Sequence, residues 1–194
     1  MNIARVITSV GKSAIVLSPF AIISIWFILT LFSGPSDKGI IGPDGIITDF
    51  FISITATGEL EQQGVTFSDV ARDVFEMAAW INIWSLAIVI IFALGWSAGS
   101  HYLNVDAPGK AKIYAMYWIV VSGIFIGLIL LANIWCLNLT HFRASQDITR
   151  TGGVTMTFML TVYYTLAYYI SVLWGTARFV RSSVLLANKL PGNI

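Results

Sequence analysis

Charge is scarce in this chain. Of its 194 residues, 11% are Asp, Glu, Lys or Arg, where a typical soluble domain carries about 25%. So few ionic groups cannot coat a water-facing surface on a domain of this size, which excludes a soluble enzyme and a disordered tail. The net charge of +1 leaves no basic field for phosphates and excludes a nucleic-acid binder. Thiols and imidazoles are equally rare, with one cysteine, Cys136, and two histidines. A single cysteine excludes an internal disulfide and any multi-cysteine zinc or iron–sulfur centre.

Apolar side chains fill the space, at 57% of the total. Four runs are long enough to cross a bilayer, which takes about 20 residues of helix: 13–32, 78–98, 113–137 and 154–176. None contains Asp, Glu, Lys, Arg or His. Lipid offers nothing to bond an open strand edge, so the runs must be helices. The expected fold is an all-α integral membrane protein, a four-transmembrane-helix bundle with a long outer segment between helices 1 and 2. Orientation follows from the connections. Residues 1–12, 99–112 and 177–194 carry seven cations, Arg5, Lys12, Lys110, Lys112, Arg178, Arg181 and Lys189; segments 33–77 and 138–153 carry four, Lys38, Arg72, Arg143 and Arg150. The excess places both termini in the cytoplasm, and the expected location is a bacterial inner membrane.

The first run is read as a retained span, since its apolar core exceeds the usual 7–15 residues of a cleaved signal. Pro19 is expected to kink or restart it. Ahead of it, Ile3, Val6, Ile7 and Val10 recur at helical spacing, so residues 1–12 are read as a separate interfacial helix on the inner leaflet. The outer segment opens with turn signals from Gly34-Pro35 to Gly42-Pro43-Asp44-Gly45. Its apolar stretch Ile46–Ile54 is too short to span. It lies in the interface, dips in, or packs on the bundle top. A helix is expected from about residue 67, where Thr66 and Asp69 resemble a capping box, and it should run straight into the second span. Asp69, Arg72, Asp73 and Glu76 share one face of it. The plainer reading is a solvated face with Arg72–Glu76 pairing; the sharper one is a docking face for a cation or a periplasmic protein.

Absence is again informative within the spans. Ion-coupled pumps and voltage sensors hold ionisable groups at membrane depth, and these runs hold none. His101 and His141 fall in loops on opposite sides, so paired haem ligation fails, and no nucleophile–base pair can be assembled. No catalytic residue and no metal ligand is assigned. What the spans do hold is small and hydroxylated. Gly95 and Gly99 close the second span, and Gly123 and Gly127 lie within the third. Both pairs are GxxxG motifs that let helix backbones approach. Packing between the chain's own spans is the expected use, with an intermolecular seam as the alternative. In the fourth span Thr157, Thr161, Tyr164, Tyr168, Ser171 and Gly175 form a heptad-like stripe. Buried hydroxyls need partners, so this stripe should face protein. Asn82 and Asn133 fall near the outer ends of their spans, placed to bond each other or a partner. Trp80 and Trp135 fit the outer interface; Trp96, Tyr114, Tyr117 and Trp174 fit the inner one.

The stretch Phe75-Glu76-Met77-Ala78-Ala79-Trp80 and the turn His101-Tyr102-Leu103-Asn104-Val105-Asp106 resemble the small membrane subunit of tripartite substrate-binding-protein-dependent transporters. That resemblance implies four spans with both ends inside and a larger ion-coupled partner. The leading expectation is broader: a non-catalytic subunit packing into a multi-subunit membrane complex of secretion, transport or respiratory type. Its partners would be other membrane subunits, the bilayer and a periplasmic protein, with bound lipid but no other cofactor. A membrane enzyme subunit holding a quinone or pigment between aromatic helices is a further alternative.

Overall fold

A computed structural model describes residues 3–32, 67–103, 110–139 and 146–177. Among them every element is helical, with no strand. The helices are α1 (Ile3–Phe32), α2 (Phe67–Gly99), α3 (Lys110–Leu139) and α4 (Gln146–Gly175), with a short 3-10 turn at Ser100–Tyr102 after α2. All four helices are long and apolar enough to cross a membrane. At 30 to 33 residues each extends about 45–50 Å, beyond the roughly 30 Å of a hydrocarbon core. Stretch Ile46–Ile54, the connections 104–109 and 140–145 and the tail from 178 lie outside the described residues.

The chain divides into two compact units. The first comprises Met1–Ala21, Leu86–Leu128 and Tyr163–Ile194; the second comprises Ile22–Ser85 and Ile129–Val162. Every helix contributes a segment to each. In the first unit Phe125 stacks on Tyr168 with ring centroids 4.3 Å apart, and Phe92 meets Phe125 at 5.7 Å. These three rings join α3 to α4 and α2. In the second unit Phe75, Met77, Ala78, Ile81, Ile129 and Met156 are buried. Trp84 meets Trp135 at 6.0 Å, and Phe32 meets Trp80 edge-on at 6.2 Å.

One expectation about the first helix is corrected. Residues 3–12 are not a separate interfacial helix: α1 continues from Ile3 to Phe32 through Pro19. Proline lacks the N–H that would bond the carbonyl four residues back, here that of Ile15. Ser18 Oγ donates to that carbonyl instead, at 2.8 Å. A neighbouring hydroxyl is one of the standard ways a membrane helix satisfies a carbonyl freed by proline. The buried positions of α1 are Ser13 and Leu17 in the first unit and Ser24 and Leu31 in the second. Their spacing of four and seven gives a single seam on each side of Pro19. α4 also departs from the hydropathy reading. It starts at Gln146, eight residues before the expected span, because its first turns, Gln-Asp-Ile-Thr-Arg-Thr-Gly-Gly, are helical without being apolar.

Candidate functional site

Hydrocarbon gives packed helices no hydrophobic drive toward one another, so close contact and interhelical hydrogen bonds must hold them. The α4 stripe lies where such contacts gather. In the second unit, Asn133 of α3 joins two helices. Its Oδ1 accepts from Ser85 Oγ of α2 at 3.3 Å, and its Nδ2 donates to Thr161 Oγ1 of α4 at 3.3 Å. Thr161 Oγ1 in turn donates to the carbonyl of Thr157 at 2.7 Å. Asn82 Nδ2 donates to the carbonyl of Ala78, one turn back, at 3.0 Å. Asn82, Ser85, Asn133 and Thr157 are all buried. This is a neutral polar layer across α2, α3 and α4.

In the first unit Tyr164, Tyr168 and Ser171 are buried. Tyr168 Oη and Ser122 Oγ lie 3.4 Å apart, and Tyr163 Oη donates to the carbonyl of Phe20 on α1 at 2.9 Å. At Gly175 three helices come close together. A Cβ there would stand 2.6 Å from Ser13 Cβ of α1 and would collide with Ser97 Oγ of α2. Next to it, Trp96 Nε1 donates to Thr176 Oγ1 at 2.9 Å, and Ser100 Oγ accepts from the Ala177 amide at 3.0 Å. These contacts draw the aromatic belt inward. Trp96 and Tyr114, expected at the inner interface, are buried at 8% and 6% exposure, whereas Tyr117 and Trp174 are 48% and 54% exposed.

The GxxxG motifs are not used as expected. A Cβ built on Gly95, Gly99, Gly123 or Gly127 meets nothing within 4 Å. Packing of these four glycines inside the chain is therefore corrected: among the described residues none of them supports a close helix approach, and Gly175 does. α3 explains the miss, since its apolar residues are spread all round the helix and leave no periodic signal of which side faces protein.

Asp69, Arg72, Asp73 and Glu76 lie in the helical run of α2, which begins at Phe67 and continues unbroken into the span; their side chains are outside the described set. Sequence reasoning overlooked the serines. Ser13, Ser24, Ser85, Ser97 and Ser100 are all buried at 2% exposure or less. Their signal was a hydroxyl in an apolar run, with Ser97 standing inside the Gly95–Gly99 motif. Among the described residues no group of three or more His, Cys, Asp or Glu side chains is placed to hold a metal ion. Lone Cys136 is buried. Searches against protein-family models, curated proteins and solved structures find no match to this chain.

Proposed function

We propose that this chain is a non-catalytic integral subunit of a larger membrane complex, a four-helix bundle in a bacterial inner membrane with both termini in the cytoplasm. The observation that carries the reading is the open glycine face of α3. Gly123 and Gly127 stand one turn apart among exposed Met116, Ile119, Val120 and Ile124, and a Cβ at either glycine touches nothing of the chain. Glycine weakens a helix interior by about 1 kcal/mol relative to alanine, and this chain recovers nothing from it by internal packing. A second helix, seated backbone to backbone, would. The uncharged spans support the same reading, since they offer no proton or ion path of their own.

The test is affinity purification of the tagged full-length protein from its own membranes in mild detergent, with mass spectrometry of the chains that follow. Gly123→Leu with Gly127→Leu should lose those chains several-fold, while Ile22→Leu on exposed α1 should not. Equal recovery with both variants would refute the α3 seam.

A second reading has its own support. α2 enters its span directly from an acidic stretch and ends in the turn bearing His101, the layout that resembles the small subunit of substrate-binding-protein-dependent transporters. A neighbouring gene for a twelve-span protein, beside one for a periplasmic binding protein, would favour it.

A further inference from the structure

Between α2 and α3 of the first unit lies an open, almost wholly apolar groove of about 430 Å³. This falls within the range of about 300–1,000 Å³ typical of ligand clefts. Phe92 and Trp96 wall it on the α2 side and Tyr117 on the α3 side, Gly95 and Gly99 leave it open, and Leu103 closes one end. The space exists because the two glycines carry no side chain: a Cβ at either meets nothing within 4 Å. The Phe92–Phe125 contact makes α2 and α3 packed neighbours, and packed helices lie about 8–10 Å apart. A helix with its side chains is about 10–12 Å across, too wide to enter such a groove. A single hydrocarbon chain is narrow enough.

Charge gathers at the Leu103 end. The Ser100–Tyr102 turn adjoins Leu103, and its His101 Nε2 lies 2.7 Å from Ser9 Oγ of α1. Arg5 and Lys12 fall on the Ser9 face of α1, four residues before it and three after. Both are exposed. Lys110 and Lys112 stand in the first turn of α3, which leads to Tyr117. Among the described residues of this unit there are four Lys and Arg and no Asp or Glu. A basic end beside an apolar groove complements one class of molecule, a lipid with an anionic headgroup.

We propose that the groove holds an acyl chain of an anionic phospholipid, with its headgroup met by the basic residues at the Leu103 end. The site requires only that the chain cross a membrane, and it stands whether or not the chain has subunit partners.

Native mass spectrometry of the delipidated full-length protein tests it, with phosphatidylglycerol and phosphatidylcholine of identical acyl chains as probes. Wild type should retain one phosphatidylglycerol in preference to phosphatidylcholine. Gly95→Leu with Gly99→Leu fills the groove and should abolish that retention. Leu166→Phe, at an exposed position of α4, should keep it; far-UV circular dichroism and melting confirm that both variants fold. Arg5→Gln with Lys12→Gln should leave a chain bound but reduce the headgroup preference roughly thirtyfold. Three results would overturn the proposal. These are wild type without headgroup preference, unchanged binding in the filled groove, and loss of self-association in the groove variant, which would make the occupant a helix.

Discussion

At the residue scale, two positions show how this chain handles backbone in an apolar medium. Pro19 would ordinarily cost a helix interior about 3 kcal/mol or more, yet α1 runs through it because Ser18 Oγ bonds the carbonyl of Ile15. Ser18→Ala removes that donor. It should lower stability by about 1 kcal/mol, read as an earlier midpoint in detergent-titrated unfolding, and Ser18→Thr should restore most of the loss. Gly175 answers a different need. Ser13 stands within 3.1 Å of the position a Cβ would take, and Ser97 closer still, so Gly175→Ala forces α1, α2 and α4 apart. Overpacking of this kind costs roughly 1–3 kcal/mol. A drop in thermal midpoint is expected for Gly175→Ala and none for Gly11→Ala, where an added Cβ meets nothing within 4 Å. Gly175 falls in the hydroxyl stripe of α4, whereas Gly95 and Gly123 are marked only by GxxxG spacing, and neither pattern says how closely another helix crosses. The crossing partners, Ser13 and Ser97, supply that information.

At the scale of elements, long uncharged runs are readable because hydrocarbon demands them; three expected spans lie within the observed helices and the fourth does so up to its last residue, Thr176. Their ends are less readable. A helix continues as long as its backbone bonds are satisfied, so α1 and α4 extend into polar sequence that hydropathy excludes. Facing is readable only where residue chemistry varies around the helix. α4 alternates hydroxyls with aliphatics, and the face carrying Thr157, Tyr164, Tyr168 and Ser171 is buried. α3 is apolar on every side, and its glycine face could not be assigned. The α4 contrast is testable. Thr161→Leu and Ser171→Leu should each lower the unfolding midpoint, by about 1–3 kcal/mol equivalent. Phe158→Leu and Leu166→Ile, at positions 70% and 52% exposed, should stay within about 0.5 kcal/mol. Equal effects in both pairs would deny that the stripe holds the helices together.

At the scale of the whole molecule, chemistry is sparse where a catalyst or pump would concentrate it. The spans carry no Asp, Glu, Lys, Arg or His. Their polar contacts are neutral hydroxyls and amides that tie helix to helix, such as Ser85–Asn133–Thr161. Contact-making features instead look outward: the Gly123–Gly127 face of α3 and the Gly95–Gly99 groove. On the proposed reading, such a chain acts through what it binds. The direct measurement is the mass of the native particle, extracted from its own membrane in the mildest detergent that dissolves it and resolved by native mass spectrometry. The expected result is a particle well above the 21.3 kDa of one chain, containing other membrane proteins in fixed ratio. A particle of one chain and lipid alone, in a state that retains full activity, would contradict it.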